Sequence, residues 1–478
     1  MDTGVSSKIT RLAAFHRIRP MLLFGAVFLA AIGLQCYRLS FVTLWSDEFS
    51  GTLQVITLPW HDLFTGNYPW EFNPPLYFLG LKAWIALFGA NEIVMRSFSI
   101  LLHSVSLFLM YALGQKLGAW RVGLAAMTIL AFHPVYTTYA TELRMYPLLI
   151  MFSLAALLSF FAYTLSTAHR PIWLIILVIS LALAVYTHYF GVVTILGVFT
   201  LSASYLLLSK DKAQKNVFLI LPIVACLIAP ALLLAFQQLL RYTQKSTTQQ
   251  YPRLGLSAIA ALFSGSMTFE FSITNIVQLA SFLSVIAGIT VLVRNKRATL
   301  AVGLVGCIGV AGFLAITLSA RNINVVPRYL IHISLICWLL ACLALMPTQD
   351  VYAKYLRIFI LAALLMNSVA GIDATAQRTY HAPNWKQIAS IIQQQAQPAE
   401  PVVIMGWDAA PTEYYLHRPW LTSYDFEQQL QEQHAGSYVI VDSKYARKLA
   451  FVDLTTDVIY EDAQWNVKVV RYTPAIAP

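Results

Sequence analysis

Apolar positions along this chain gather into long runs that short polar connectors separate. A helix that crosses a membrane needs ~20 mostly apolar residues, and about eleven stretches have roughly that length. This pattern predicts a polytopic α-helical membrane protein. The predicted spans are 21–39, 93–113, 122–140, 146–165, 171–187, 190–208, 217–239, 274–293, 299–319, 329–346 and 356–372.

The composition supports the same class of protein. Charged residues make up 11% of the 478 positions and hydrophobic residues 58%, whereas a soluble domain carries about 25% charged residues. Lipid must therefore cover much of the surface. The net charge of +10 does not indicate nucleic-acid binding, because many of the basic residues lie in short connectors between apolar runs.

Lysine and arginine concentrate in alternate connectors, which predicts an orientation through the positive-inside rule. A basic segment precedes the first run, and that run has no clear small-x-small cleavage site, so it is expected to stay as an uncleaved helix. An odd number of spans then places the N-terminus in the cytoplasm and the C-terminus outside. The basic connectors contain Lys116 and Arg121; Arg170; Lys210, Lys212 and Lys215; Arg294, Lys296 and Arg297; and Lys354 and Arg357.

Two domains are predicted. Residues 1–372 form a transmembrane catalytic domain, and residues 373–478 form a small soluble extracytoplasmic α/β domain. In this tail, one helix at Trp385–Gln395 and short strands at 402–405, 438–441 and 467–472 are expected.

Two outer segments between the spans are long. The first loop (41–91) is aromatic, and its stretch 75–88 is too short to span, which indicates helices lying in the membrane interface. A further outer connector, 241–271, is interpreted as a partly re-entrant segment or a lid.

The five cysteines all lie inside apolar runs, and none forms a CxxC pair. They are interpreted as small buried hydrophobic residues and not as a disulfide framework or a metal site. No cluster of histidine and cysteine requires a metal, so the sequence demands no cofactor and leaves metal dependence open.

Candidate chemistry lies in the outer connectors. Asp47 and Glu48 follow the first span, and Asn73 precedes a rigid proline pair and Tyr77. Each group alone has a structural alternative: a solvated loop, a helix entry, an internal ion pair, a hydrogen-bonded histidine or a snorkelling arginine. Together they share one predicted face, where ionisable groups at membrane depth indicate function. The remaining candidates are Glu142, Arg144, Tyr146, His188, Arg328 and Tyr329.

This set of side chains suits sugar transfer from a lipid carrier. A lipid-phosphate leaving group needs cations, and an acceptor hydroxyl needs a carboxylate base. Arg241 and Arg253 in the outer connector add two further candidates for holding the phosphate.

The motifs resemble those of the glycosyltransferase C superfamily, in particular the bacterial family 39 branch with its protein O-mannosyltransferase-like enzymes and aminoarabinose transferases. The resemblance covers nearly the whole chain. The matching motifs are Asp47-Glu48, Asn73-Pro74-Pro75-Leu76-Tyr77, Glu142-Leu143-Arg144-Met145-Tyr146, Tyr186-Thr187-His188-Tyr189-Phe190, Pro327-Arg328-Tyr329-Leu330, Asn384-Trp385-Lys386 and Glu413-Tyr414-Tyr415-Leu416.

The resemblance implies that Asp47, with Glu48 beside it, is the base or the acceptor-binding group. It also implies that Arg144 and Arg328 bind the carrier phosphate. Two departures from the family pattern stand out. Asn73 replaces a common histidine, and Tyr146-Pro147 replaces an Asp-Pro pair, with Glu142 about one helical turn away.

The predicted function is that of an inverting glycosyltransferase in the bacterial inner membrane. It would move a sugar from a polyprenyl-phosphate donor to a hydroxyl on a lipid, polysaccharide or protein acceptor at the extracytoplasmic face. The alternative is a transporter or flippase of a lipid-linked sugar. A transporter would carry its polar groups near the midplane of duplicated halves, and no such duplication is visible.

Overall fold

The computed structural model describes residues 3–68, 71–166, 168, 170–245, 253–257, 275–323, 325–347, 351–376, 383–397, 400–405, 409–416, 420–422, 438–443, 456–462 and 467–472. The chain divides into two compact units. The helical unit comprises Met1–Leu39, Phe64–Asn67 and Phe72–Gln377, and the sheet unit comprises Ser40–Leu63, Tyr68–Glu71 and Arg378–Pro478.

Helices dominate the described residues up to 376. They are α1 (Thr3–Leu39), α2 (Ser46–Glu48), a π-helical turn (Phe49–Leu53), α3 (Gln54–Thr57), α4 (Trp60–Thr65), α5 (Leu76–Phe88), α6 (Glu92–Gly118), α7 (Trp120–Phe132), α8 (Pro134–Tyr139), α9 (Tyr146–Thr164), α10 (Ile172–Thr187), α11 (Gly191–Leu208), α12 (Gln214–Leu219), α13 (Leu221–Lys245), α14 (Ile276–Arg294), α15 (Ala298–Ala320), a 3₁₀ helix (Pro327–Leu330), α16 (Ile331–Leu343) and α17 (Val351–Ala376).

Among the described residues, seven helices are long and apolar enough to cross a membrane: Ile18–Leu39, Glu92–Gly118, Tyr146–Thr164, Gly191–Leu208, Gln214–Arg241, Ile276–Arg294 and Ala298–Ala320. Shorter apolar helices lie at Leu76–Phe88, Trp120–Phe132, Ile172–Thr187, Pro327–Leu343 and Tyr355–Ala370. The chain is therefore a multi-pass membrane protein. The total of eleven spans stays a prediction.

Proline shapes three of the predicted spans. The run 122–140 divides at His133, which adopts an extended conformation (φ −69°, ψ 136°) before Pro134 begins α8, as expected for a residue that precedes proline. The run 217–239 divides at Ile220 into α12 and α13, with Pro222 following. The run 329–346 begins as a 3₁₀ helix at Pro327.

The core of the helical unit is formed by α9 and α16. Every residue of α16 is buried, and α9 is buried over most of its length. Helix α6 packs against α7 and α9, and α14 packs against α16. Gly114 of α6 faces Gly123 of α7 so closely that a side chain at either position would meet backbone atoms of the other helix.

The tail contains α18 (Trp385–Gln395), α19 (Thr412–Tyr415) and the strands β1 (Val402–Met405), β2 (Trp420–Thr422), β3 (Tyr438–Ser443), β4 (Thr456–Asp462) and β5 (Val467–Tyr472). The described strands form one sheet in the order β2-β1-β3-β5-β4. Strand β1 pairs in parallel with β2 and β3, whereas β5 pairs antiparallel with β3 and β4. The predicted helix and three predicted strands have counterparts here, and β2 and β4 were not predicted.

One apolar cluster holds the tail together. Trp385, Ile388 and Ile392 of α18 are buried in one hydrophobic core with Val402 of β1 and Val469 of β5. The side-chain oxygen of Asn384 accepts the backbone N–H of Gln387 at 3.2 Å and so caps α18. The interfacial position of 75–88 stays a prediction, and the connector 241–271 lies largely outside the described residues.

Candidate active site

The connector between α8 and α9 carries two of the predicted site residues, Glu142 and Arg144, which are 3% and 5% exposed. Two side chains of helix α6 donate hydrogen bonds to backbone carbonyls of this connector. Arg96 Nη1 donates to the carbonyl of Thr141 at 2.6 Å, and Ser99 Oγ donates to the carbonyl of Glu142 at 2.6 Å. The backbone around Glu142 is therefore anchored, which reduces the freedom of its charged side chain.

Two buried arginines that the sequence did not single out lie beside this connector. Arg38, near the end of α1, donates from Nε to Thr141 Oγ1 at 3.5 Å. Its guanidinium is attracted by Glu142 and repelled by Arg96. Arg96 in turn pairs with Glu92 one helical turn earlier, at 2.9 Å. Thr141 thus links both guanidinium groups to the connector.

His188 lies in the connector between α10 and α11 and is almost fully buried. Its Nδ1 accepts the backbone N–H of Phe190 at 3.1 Å, which leaves the proton of the neutral ring on Nε2. Burial, together with smaller contributions from His332, Arg144 and Arg328, lowers the pKa of His188 to about 3. The ring is therefore neutral at physiological pH, and it lies within electrostatic reach of both predicted phosphate-binding arginines.

Aromatic rings surround His188. The ring of Tyr329 lies 4.9 Å from the imidazole and the ring of Tyr146 lies 6.0 Å from it, centroid to centroid. The ring of Phe190 lies 5.2 Å from the ring of Tyr329, also centroid to centroid. Tyr146 is buried at the start of α9, and Tyr329 is half-buried in the 3₁₀ helix. The structure therefore brings together the motifs that contain Tyr146, His188 and Tyr329.

Four arginines and two glutamates of the helical unit lie around this connector. We define the arginine cluster as Arg38, Arg96, Arg144 and Arg328 together with Glu92 and Glu142. Arg38 interacts electrostatically with Glu142 and Arg96, Arg96 pairs with Glu92, and Arg144 and Arg328 both act on the neutral ring of His188. Guanidinium groups bind phosphate through charge-assisted hydrogen bonds. The cluster is thus suited to binding a phosphate group.

The other predicted binding residues of the helical unit lie as follows. Tyr77 of α5 is fully buried, and its hydroxyl lies 3.2 Å from Ser99 Oγ, so it packs α5 against α6. Asn73 is half-buried ahead of α5. Arg241 is exposed in α13, and Arg253 is exposed beside Leu254, whose N–H donates to Ser319 Oγ at 2.9 Å. Their roles in substrate binding stay predictions.

Asp47 and Glu48 lie in the sheet unit, in the short helix α2. Trp45 N–H donates to Glu48 Oε2 at 3.2 Å, and Glu48 is fully buried whereas Asp47 is half-buried. Glu48 therefore stabilises the first turn of α2. Of the two carboxylates, Asp47 is the more accessible.

The tail holds the backbone that leads into Asp47. Lys386 Nζ donates to the carbonyl of Val42 at 2.7 Å, and Leu44 N–H donates to the hydroxyl of Tyr415 at 2.9 Å. The Lys386 ammonium also lies 5.8 Å from the centre of the Tyr415 ring. Both residues belong to motifs predicted in the tail, so those motifs position the part of the first loop that leads into Asp47, which belongs to the same sheet unit.

Among the described residues, no group of three or more histidine, cysteine, aspartate or glutamate side chains is arranged to hold a metal ion. The described cysteines are free thiols. Cys307, Cys337 and Cys342 are buried as predicted, whereas Cys36 in α1 and Cys226 in α13 are exposed, so the prediction of burial is wrong for these two.

The chain is similar to known proteins both in sequence and in structure. Residues 73–236 match the family model described as dolichyl-phosphate-mannose-protein mannosyltransferase. ArnT from Cupriavidus metallidurans in the apo state superimposes with a TM-score of 0.60 and 14% identity, over 94% of this chain and 97% of that one. The chain has the glycosyltransferase C fold.

Two further structures share this glycosyltransferase C fold. ArnT from the same organism bound to undecaprenyl phosphate matches with a TM-score of 0.58 and 14% identity, over 96% of this chain and 99% of that one. The Archaeoglobus fulgidus oligosaccharyltransferase in the apo form matches with a TM-score of 0.53 and 13% identity, over 90% and 70% of the two chains. No curated protein matches the sequence. The resemblance predicted from the motifs is confirmed.

Three residues near the predicted site were missed from the sequence: Arg38, Arg96 and His332. His332 lies in α16, is 1% exposed, and interacts electrostatically with His188. Each of the three lies inside a predicted span, where an ionisable residue is expensive and generally functional. That rule, applied within the spans as well as to the connectors, would have found them.

Proposed function

We propose that this chain is an inverting glycosyltransferase that moves a sugar from a polyprenyl-phosphate donor to an acceptor hydroxyl at the extracytoplasmic membrane face. The observation that carries the proposal is the arginine cluster, in which the fold of the helical unit brings four guanidinium groups together. The glycosyltransferase C fold supports it, since a protein of that fold was crystallised with undecaprenyl phosphate.

The guanidinium groups of the cluster suit the change in charge of the leaving group. A sugar-phosphate-lipid donor is a phosphodiester with one negative charge, and the released lipid phosphate carries close to two. Cations placed before the reaction therefore stabilise the transition state more than the bound donor, which is the condition for catalysis. Arg144 and Arg328 are assigned to the phosphate oxygens, and neutral His188 offers its Nε2–H as an additional donor.

Asp47 is assigned as the general base. It accepts the proton of the acceptor hydroxyl while the hydroxyl oxygen bonds to the anomeric carbon. The bond between that carbon and the phosphate oxygen breaks, and its electron pair leaves with the lipid phosphate. Attack from the side opposite to the leaving group inverts the anomeric configuration. Glu48 supports α2 and is not required to move a proton.

Transfer by purified protein tests the proposal. The protein is incubated with radiolabelled undecaprenyl-phosphate mannose or undecaprenyl-phosphate aminoarabinose, and sugar release and bound undecaprenyl phosphate are measured. Asp47→Asn is expected to lower transfer by about 10²- to 10⁴-fold while the carrier still binds. Asp62→Asn, which changes a half-buried carboxylate of the same unit, serves as the matched control.

Two results would contradict the assignment. Wild-type turnover in a well-folded Asp47→Asn protein would show that Asp47 is not the general base. Movement of an intact labelled donor across vesicles without sugar release would instead favour the flippase alternative. Comparison of the glycolipids and glycoproteins of a deletion strain with those of its parent then identifies the acceptor class.

A further inference from the structure

A cavity of about 440 Å³ lies in the helical unit, where the turn between α6 and α7 meets the turn between α14 and α15. Lys116 and Arg297 supply positive charge to its lining, and Leu117, Met346 and Pro347 supply apolar surface. Lys116 and Arg297 are exposed, whereas Leu117 and Met346 are buried. The cavity is therefore cationic at its rim and apolar along one wall.

The cavity is far from the arginine cluster. Arg96 and Lys116 are twenty residues apart in the continuous helix α6, which corresponds to about 30 Å along its axis. The hydrocarbon core of a bilayer has a similar thickness, about 30 Å. Arg328 and Met346 lie at opposite ends of the segment that contains α16. Two helices thus separate the cluster from the cavity by about the thickness of the hydrocarbon core.

Two helices also begin at the cavity. Ala119 is the N-cap of α7, and Arg297 is the N-cap of α15. Helix N-termini present backbone N–H groups and a partial positive charge, both of which favour anions. Ala119 has φ 81° and ψ 172°, a strained conformation for alanine of the kind that persists at functional sites.

Arg297 is held in place at the cavity. Its Nη1 donates to the carbonyl of Leu117 and lies 3.6 Å from the sulfur of Met346. Arg357 Nη2 donates to the carbonyl of Met346 at 2.6 Å and so fixes the same wall. Both hydrogen bonds that Arg297 makes with described residues use Nη1, so Nε and Nη2 of its guanidinium can donate to an anion.

We propose that this cavity binds the phosphate headgroup of an anionic glycerophospholipid of the leaflet opposite to the arginine cluster. Lys116, Arg297 and the first N–H groups of α7 contact the phosphate, and the wall formed by Leu117 and Met346 contacts the glycerol and the start of the acyl chains. Basic pockets between membrane helices recognise anionic lipids through this chemistry. The inference does not depend on the proposed transferase activity.

Native mass spectrometry of the full-length protein in detergent tests the site by titration with phosphatidylglycerol, phosphatidylcholine and inorganic phosphate. Each cation contributes about 1 kcal/mol near a membrane surface, so Lys116→Ala weakens phosphatidylglycerol binding about 5-fold and Lys116→Ala with Arg297→Gln about 30-fold. Lys212→Ala with Lys215→Ala removes two exposed charges that do not line the cavity, and should leave binding unchanged.

Several outcomes would overturn the proposal. Equal binding of phosphatidylcholine would remove the requirement for net negative charge, and an equal loss in the Lys212/Lys215 variant would show that general surface charge is responsible. Competition by inorganic phosphate at the same concentration as the lipid would identify free phosphate as the occupant. If the double variant has a lower melting temperature than the wild type, the binding constant of the single Lys116→Ala variant is used instead, because a substitution at exposed Lys116 should not affect folding.

Discussion

The ammonium group of Lys386 donates a hydrogen bond to the backbone carbonyl of Val42 at 2.7 Å, across 344 positions of sequence. Val42 lies five residues before Asp47, so this contact fixes the start of the segment that carries the proposed base. The tail is therefore a support for the first loop within the sheet unit, and its integrity is expected to govern the chemical step.

Lys386→Met should lower the rate of transfer about 10-fold or more, because a displaced catalytic group loses reactivity steeply with distance. The KM for the donor should change little, since the phosphate-binding arginines are intact. Hydrogen exchange at 42–48 should rise in parallel. Lys468→Ala, which breaks an exposed pair with Glu461 in the same unit, is the control. Unchanged exchange at 42–48 in Lys386→Met would argue against a positioning role.

Glu48→Gln and Glu48→Ala separate a structural carboxylate from a catalytic one. The amide oxygen of glutamine still accepts the N–H of Trp45, so Glu48→Gln should retain most activity. Glu48→Ala removes the acceptor and should cost about 1–3 kcal/mol of stability, the penalty for an unsatisfied buried group. Thermal melts and transfer assays measure the two effects. A Glu48→Gln protein that folds normally but loses transfer as fully as Asp47→Asn would instead make Glu48 catalytic.

Arg328→Gln should weaken binding of undecaprenyl phosphate by about 10- to 100-fold, because a charge-assisted hydrogen bond contributes about 1.5–3 kcal/mol. Arg321→Gln removes an exposed charge seven residues earlier and is the matched control. The carrier is titrated against both purified variants. If the two substitutions weaken binding equally, the attraction is long-range and Arg328 is not a direct ligand.

His188 should make the folded state less stable in acid. The pKa of His188 falls from 6.5 to about 3 on folding. Below pH 6.5, His188 therefore binds a proton in the unfolded chain but not in the folded chain. Stability is then lost by about 1.4 kcal/mol per pH unit as the pH falls from 6.5 towards 3. His188→Gln should flatten this slope, and His61→Gln, at an exposed site, should not. Melting temperatures between pH 7.5 and 5 provide the measurement.

Gly288→Ala should destabilise the helical unit, because a β-carbon on Gly288 in α14 would overlap the carbonyl oxygen of Leu340 in α16. Overpacking of this kind costs about 1–3 kcal/mol. Gly309→Ala on α15 meets no atom within 4 Å and should be neutral or slightly stabilising, since alanine favours helix. Equal melting temperatures for the two variants would show that α14 and α16 separate easily.

The runs of apolar residues predicted where helices lie, since burial in lipid and core depends on local hydrophobicity. They did not predict the break at His133, which is decided by the proline that follows it. Strand β4, with the sequence TDVIYED, carries charges at both ends and owes its place to pairing with β5. Such pairing depends on residues distant in sequence, which a local pattern does not contain.

The candidate site was predicted in part for a similar reason. His188, Arg144 and Arg328 were predicted because they lie in outer connectors that share one predicted face of the membrane. Arg38 and Arg96 belong to apolar runs, and what brings them together is one residue, Thr141, that accepts from both. The sequence around Thr141 does not indicate that this residue accepts hydrogen bonds from two arginines.

Helix α6 has 27 residues and is therefore about 40 Å long, with Arg96 near one end and Lys116 near the other. The separation between these two charges is set by covalent geometry and does not adjust to the bilayer. A membrane with longer acyl chains must thin around the protein before both ends reach water, whereas in a membrane with shorter acyl chains the helix must tilt or the bilayer must thicken. Lipid chain length thus becomes a variable that controls how deeply the arginine cluster sits below the aqueous phase.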